Sequence, residues 1–406
     1  MSEHELTTID GCVHAMKSRE LRQALYDEAS LMMEHALVNL HGTEHRDRRT
    51  VEAKVFRKDV FLAYEKDSVP QTLAETIGPF MKEGKGDLVD MGYRIMMNLT
   101  VDFAGIDRAK SSPEATADLV RLLKEFSLAP ALGQSRSEDV DDKKARIREA
   151  MKEFDTSFLQ PSIAHRQAVL RDLEAGKIEE TDLPQDVLMA LLRGQDKLQM
   201  SDDAFLQEGI FYVLAGAHTT IHSLTHAVHE LLEWLKKHPE DIARIGDDPF
   251  FIQQCVFESV RLHPSSPVAR RRALSEVSLH DGEDARTGDF VVANLYQANR
   301  DPAIFGPDAD TFNPHRKVAG KVAPHGVSMG LGMHACLGRN LAIGVEPRPG
   351  STADSHQYGI VPLIVEALLK AGIQQDPAGE ATKDEGITRI TWSHYPVLFK
   401  PEEALI

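Results

Sequence analysis

Met329-Gly330-Leu331-Gly332-Met333-His334-Ala335-Cys336-Leu337-Gly338-Arg339 is the stretch whose residue types promise chemistry. One cysteine stands among glycines at 330, 332 and 338. Glycine lets backbone turn tightly and approach a flat ligand. A thiolate is a strong, soft donor to iron, and N–H groups around it tune its charge. A helix starting just after Cys336 would stabilise a thiolate through its N-terminal dipole. The same residues satisfy the loose dinucleotide pattern G-x-G-x-x-A. No clear strand precedes them, however, as the dinucleotide fold requires. For a cysteine taken alone, a buried structural role is the commoner one.

Three further groups share this potential. Glu258 and Arg261 lie three apart on a helix over about 249–262 and so share a face. Alone they would be a surface ion pair worth well under ~1 kcal/mol. Ala215-Gly216 interrupts the clearest helical pattern, 202–238, which Ser201 caps and Pro239 stops. An interior Gly costs about 1 kcal/mol against Ala, which packing something flat against the backbone would offset. His45 and Arg49, at i and i+4, share a face suited to carboxylate recognition, with a solvated basic helix start as the plain alternative. The 202–238 helix also aligns His218, His222, His226 and His229 within about 80°. That spacing suits a transition metal, so a helical-bundle metalloprotein is the rival from another class. It lacks Glu-x-x-His partners on other helices and leaves the Cys336 loop unexplained. A polar helix face is the plainer reading of His222, His226 and His229.

The elements that must position these groups are mostly helical. Apolar residues recur at helical spacing over 13–38, 43–65, 70–82, 87–104, 115–128, 139–176 and 184–194. On the 202–238 helix, Leu206, Ile210, Val213, Leu214, Ile221, Leu224, Val228, Leu231, Leu232 and Leu235 fall within roughly a 100° arc. Segments 272–280 and 288–296 alternate as strands about a turn at Asp281-Gly282. An irregular stretch runs from Asn299 to about Met333, followed by a helix pair and a strand or hairpin over 386–400.

The 406 residues suffice for a large core. No linker, repeat or low-complexity tract divides them, so one domain over 1–406 is expected. Sixty-three acidic against 46 basic residues give a net charge of −17, which argues against nucleic-acid binding. Three cysteines, Cys12, Cys255 and Cys336, are too few for a disulfide framework and fit a reducing compartment. The N-terminus lacks signal-peptide features, and no run approaches the roughly 20 apolar residues of a membrane span. A cytoplasmic protein without a membrane anchor is expected.

Together these stretches resemble the cytochrome P-450 family over about residues 36–400. The Cys336 loop matches the family's F-G-x-G-x-H-x-C-x-G at every fixed position but the first, where Met329 stands. Glu258-Ser259-Val260-Arg261 resembles its E-x-x-R, and Phe312-Asn313-Pro314-His315-Arg316 its F-x-P-x-R. The resemblance implies that Glu258, Arg261 and Arg316 form a structural network holding the Cys loop. Ala215-Gly216-Ala217-His218-Thr219-Thr220 resembles the oxygen-binding A-G-x-[D/E]-T-T. Gly216 would then leave room for dioxygen, and Thr219 would donate to the bound oxygen. His218 replaces the proton-relaying acid, and imidazole shuttles protons near neutral pH. His45 and Arg49 resemble the H-x-x-x-R that binds a haem propionate. Arg271 resembles the strand arginine with the same role, in a run Arg270–Arg272 that leaves the register open. Ala298-Asn299-Arg300-Asp301-Pro302 and Ser393-His394-Tyr395-Pro396-Val397 resemble two further family segments.

The resemblance implies a mainly α fold, a triangular helical prism with small β-sheets. Haem b (iron protoporphyrin IX) would lie between the 202–238 helix and the Cys336 loop, with Ala215, Gly216, Gly330, His334 and Gly338 beside it. It implies a monooxygenase that inserts one oxygen atom from dioxygen into a hydrophobic small molecule. The chain is too short to hold a reductase, so a ferredoxin-type donor with a flavin reductase is the expected partner. A peroxide-using haem-thiolate enzyme and a non-catalytic haem sensor are the other readings within reach. Two departures stand out. The His45 motif comes early, as if the family's first helix and outer sheet hairpin were absent, which would open the pocket or call for a covering partner. Glu346-Pro347-Arg348-Pro349-Gly350 must break the helix after the Cys loop, with a restart expected near Tyr358.

Overall fold

The computed structural model describes the chain except residues 109–112, 135, 136, 281, 385–388 and 406; the side chains of 131, 133, 134 and 137–139 are likewise left undescribed. Asp281, at the expected turn, and the start of the expected 386–400 hairpin therefore lie outside the described residues. The chain opens with strand β1 (Glu3–Leu6), helix α1 (Ile9–Lys17) and strand β2 (Leu21–Gln23). Helices α2 (Gly42–Glu52), α3 (Leu88–Ala104), α4 (Asp202–Lys237) and α5 (Phe251–Leu262) follow, with other helices between them. Strands β3 (Val268–Ala273) and β4 (Phe290–Asn294), then helices α6 (Arg339–Ile343) and α7 (Ile360–Lys370), complete the frame. The fold is mainly α with small sheets, as expected. No helix of the described residues is long and apolar enough to cross a membrane.

The chain divides into two compact units. One holds residues 1–23, 61–92 and 219–406; the other holds 24–60 and 93–218. In the first, a four-stranded sheet runs β1-β4-β3-β2. β1 pairs parallel to β4, from Glu3 opposite Phe290 to Leu6 opposite Ala293. β3 pairs antiparallel to both β4 and β2. Residues 3–23 supply α1 and the two outer strands of this sheet. Thr8 caps α1 by accepting from the Gly11 amide. Ile9, Cys12, Ala15 and Met16 then face a core shared with Leu21, Val291 and Ala293.

The expected helix over 13–38 is corrected. α1 stops at Lys17, and Leu21 and Gln23 turn their side chains inward as β2. Sheet pairing with Ala273 and Arg271 outweighs local helical spacing there. The strand expected over 272–280 is corrected to 268–273. Three consecutive arginines argue against a strand by propensity, yet Arg270 and Arg272 cover the Phe290 ring at 3.8 and 5.7 Å. In the second unit, the expected helix over 139–176 is two helices, 137–154 and 160–174, joined by a π turn over 155–159. α4 keeps its expected span to within one residue.

Candidate functional site

The Cys336 loop belongs to the first unit. Gly330 and Gly332 both take left-handed backbone, φ +62° and +70°. At Gly332 a side chain would strike the backbone of Met16 and Lys17 at the end of α1, so glycine is required twice over. A short 3-10 turn, Gly332–His334, leads to Cys336, whose N–H donates to the Met329 carbonyl at 2.9 Å. Met329 thus contributes backbone where the family has an aromatic ring. Cys336 is exposed, while Cys12 and Cys255 are buried. Burial pushes the Cys12 thiol up to about 12 and raises that of Cys255 strongly, so neither would ionise. Gly338 is the N-cap of α6. α6 has only five residues, so dipolar support for a thiolate comes from a single short turn.

Below the loop lies the charged network. Arg261 is completely buried and donates to both oxygens of Glu258 at 2.7 Å. Arg316 donates through Nε to the same carboxylate at 2.8 Å and also pairs with Asp308 at 2.7 Å. Arg261 spends its other nitrogen on the carbonyls of Asn299 and Ala309 at 2.6 and 2.7 Å. The connection to the loop runs through a residue that the spacing argument had placed only in a motif. Asn299, also fully buried, accepts from the Val327 amide and donates to the Arg261 carbonyl and to Ser328 Oγ. Ser328 in turn donates to the Val260 carbonyl at 2.8 Å. A side chain at Gly326 would overlap the Asn299 amide oxygen. An uncharged residue between two arginine motifs carried no signal of this role beyond its place in Ala298-Asn299-Arg300-Asp301-Pro302.

The strand register singles out one arginine. Arg271 is buried, with Nη1 donating to Gln23 Oε1 at 2.7 Å, while Arg270 and Arg272 lie over Phe290. On α4, the Thr219 carbonyl accepts from Ser265 Oγ at 3.0 Å and from Ser223 Oγ at 3.2 Å. A hydroxyl bonded to the carbonyl one turn back bends a helix. Ser223 and Ser265 are therefore positioning groups that the sequence reading did not single out.

The histidine stripe departs from expectation. His222 and His226 are buried, not solvated. His226 stacks on His263 with ring centroids 4.0 Å apart and bonds to the Ile390 carbonyl at 2.8 Å. His229 bonds to the Tyr395 hydroxyl at 3.0 Å. Burial, together with neighbouring His263, pushes His226 down to about 3. No cluster of three or more His, Cys, Asp or Glu able to hold a metal ion occurs among the described residues. The polar-face reading failed because a 3.6-residue period cannot tell which face of a long helix is covered.

In the second unit, His45 is buried on α2 one turn from Arg49. Burial first, then Arg49 and His41, pushes His45 down to about 4. A carboxylate between them would reverse that repulsion, so the pair fits a propionate. Ala215, Gly216 and His218 are half-buried on α4. At Gly216 a Cβ would press on the Thr100 side chain of α3 at 2.6 Å. Its missing side chain makes room for Thr100 and close helix packing.

After the loop, the expected break is present. α6 ends at Ile343, Val345 donates to the Gln357 carbonyl at 3.0 Å, and α7 restarts at Ile360. Glu65 accepts from the Tyr358 and Gly359 amides at 3.1 and 2.8 Å and so caps the restart. Burial pushes Glu65 up to about 7 against these two bonds.

A mainly helical chain with a glycine-framed exposed cysteine and a buried Glu-Arg-Arg network is the arrangement that the family resemblance implied. The Cytochrome P450 family model matches residues 14–344, and the chain belongs to that family. It is 27% identical over 248 residues to the "Biotin biosynthesis cytochrome P450" of Bacillus subtilis (strain 168), covering 58% of each chain. It is 33% identical over 152 residues to the "Mycinamicin VIII C21 methyl hydroxylase" of Micromonospora griseorubida, covering 37% of this chain and 35% of that one. The matched length is thus under two thirds of both relatives. Among solved structures it is similar to P450BioI in complex with hexadec-9Z-enoic acid ligated acyl carrier protein, with a TM-score of 0.72 and 18% identity. That match covers 98% of this chain and 92% of the other. CalO2 gives a TM-score of 0.73 at 19% identity, with 98% and 90% covered.

Proposed function

We propose that this chain is a haem-thiolate monooxygenase acting on a hydrophobic small molecule. The observation that carries the reading is the exposed Cys336 on a loop anchored through Ser328 and Asn299 to the Arg261–Glu258 pair. The cofactor is haem b, with Cys336 as sulfur ligand, Gly330, His334 and Gly338 framing the loop, and His45, Arg49 and Arg271 as propionate partners. When bound, haem supplies dioxygen activation and insertion of one oxygen atom into an apolar substrate. The chain's own residues then do the positioning. Thr219 holds a hydroxyl on the α4 segment where oxygen binds, and Ser265 and Ser223 fix its carbonyl. Gly216 admits Thr100, so that α3 and α4 approach closely, and Ala215 keeps the adjacent turn free of bulk. His218 passes protons in place of an acid. Glu258, Arg261 and Arg316 hold the loop and take no part in chemistry. Residues 1–406 act as one family domain in the cytoplasm, drawing electrons from a separate ferredoxin-type donor and its flavin reductase.

The test is spectroscopic and catalytic. The ferrous–CO complex should show the far-red Soret band of a thiolate ligand, and Cys336→Ser should abolish it. Binding of zinc or non-haem iron without haem would overturn the reading. Product formation with a ferredoxin system and none with peroxide separates the monooxygenase from the peroxide-using alternative.

A further inference from the structure

We propose that His263 and Ser265 form a clamp along α4 that fixes the Thr219 segment relative to the Cys336 loop, and that both are positioning residues for the oxygen chemistry. The clamp stands on bonded contacts; its chemical consequence rests on the monooxygenase reading above.

The clamp begins where α5 ends. Pro264 cannot continue a helix, and the residue before a proline is driven out of helical backbone. His263 accordingly takes φ −122° and ψ 63°. Its own N–H still closes on the Ser259 carbonyl at 2.8 Å, and Arg300 Nη2 donates to the Leu262 carbonyl at 2.7 Å. The chain therefore leaves α5 in a fixed direction and lays residues 263 and 265 against α4.

There the two side chains meet four residues on one face. Ser265 Oγ donates to the Thr219 carbonyl at 3.0 Å and lies 3.1 Å from Ser223 Oγ. The His263 ring stacks on that of His226, with centroids 4.0 Å apart and planes 5° from parallel. His263 Nε2 bonds to Glu230 Oε1 at 2.7 Å. Thr219, Ser223, His226 and Glu230 follow at i, i+4, i+7 and i+11, within about 60° of one another. Two residues thus hold about three turns of α4.

The other end of the clamp is bonded toward the cysteine. His263 stands two residues after Arg261, whose carbonyl accepts from Asn299 Nδ2 at 3.1 Å. Asn299 also donates to Ser328 Oγ at 2.7 Å, and Ser328 donates to the Val260 carbonyl at 2.8 Å. The next residue, Met329, accepts from the Cys336 N–H at 2.9 Å. Hydrogen bonds and short runs of chain therefore connect the Cys336 amide to the Thr219 carbonyl.

The contact at Thr219 is the consequential one. A helical carbonyl ordinarily accepts the N–H one turn on, whereas that of Thr219 also accepts the Ser223 and Ser265 hydroxyls. Side-chain donors of this kind bend a helix locally. Carbonyl and hydroxyl belong to the same residue, so tilting one re-aims the other. A reacting group displaced by about 1 Å costs on the order of 100-fold in rate. Ser265 reaches Thr219 from outside α4, so it carries the position of the cysteine side into that aim, which Ser223 cannot do.

The test uses the haem-loaded protein and its Ser265→Ala, Ser265→Thr and His263→Phe variants, with carbon monoxide as the probe of the oxygen side. Ser265→Ala should keep the thiolate Soret band of the ferrous–CO complex but shift its infrared C–O stretch. Product formed per electron consumed should fall about tenfold while substrate KM stays unchanged. Ser265→Thr, which restores a hydroxyl, should return both readouts toward wild type. His263→Phe, which keeps a stacking ring but loses the Glu230 bond, should shift the stretch in the same direction by less, and it carries the test if Ser265→Ala does not fold. An unchanged stretch beside unchanged coupling, whatever the unfolding midpoint, makes the contacts merely structural and overturns the proposal. Failure of Ser265→Thr to restore the two readouts overturns it as well. Failure of the monooxygenase reading registers separately, as absence of the thiolate Soret band in the unmutated protein.

Discussion

Replacing Glu258 by Gln removes one negative charge from a point where two guanidinium groups converge. Glu258 receives Arg261 at 2.7 Å on each oxygen, Arg316 at 2.8 Å and the Asn313 amide at 3.1 Å. Glutamine keeps one oxygen and turns an N–H2 toward donors, so at least one charged bond is lost outright. Arg316 retains Asp308, but Arg261 retains only main-chain carbonyls. Removing one partner of a buried pair costs about 3–5 kcal/mol, because the remaining charge stays buried. That is a large share of the roughly 5–15 kcal/mol that stabilises a domain. Urea unfolding at neutral pH, followed by circular dichroism, should show a lower midpoint at unchanged slope. Arg316→Ala should cost less, since its other partner, Asp308, is half exposed. A loss below about 1 kcal/mol for Glu258→Gln would refute the view that this carboxylate neutralises both arginines.

Three other outcomes are expected. Asn299→Ala strips three buried bonds at about 1 kcal/mol each; unfolding should register roughly 3 kcal/mol, and limited proteolysis should find the 325–336 loop loosened. Glu65 sits at about 7 when folded against 4.5 as its ordinary value, so its contribution to stability is complete below about pH 4.5 and is lost as pH rises through 7. The stability difference between wild type and Glu65→Gln should therefore fall over that window, and a flat difference would remove Glu65 as its source. His226, held near 3 against 6.5, has the opposite sign: its contribution is complete above about pH 6.5 and is lost as pH falls toward 3. His226→Asn should flatten the acid limb of the unfolding curve.

Much of the site was legible because its residues announce themselves by chemistry. Cysteine among glycines, Glu three residues before Arg, and His one turn before Arg each have a plain structural reading alone, and gain weight only by occurring together in one chain. The proline-rich break after α6 was readable for a backbone reason, since proline cannot continue a helix. The resemblance then tied these pieces to one family. Asn299, Ser328, Ser223, Ser265 and Gln23 were harder to read, because small polar residues are common and their partners lie far along the chain.

By itself the sequence determined the exposed thiol's neighbours, the long α4 helix and the family; these depend on residue identity and local spacing. Tertiary packing alone decided which arginine of Arg270–Arg272 turns inward, because strand register depends on β2 and β4. It also decided that the α4 histidines are buried, that Gly216 serves Thr100, and that Glu52 meets Tyr212, 160 residues away. Burial and charge coupling belong to surfaces brought together from distant segments, and no local pattern carries that information.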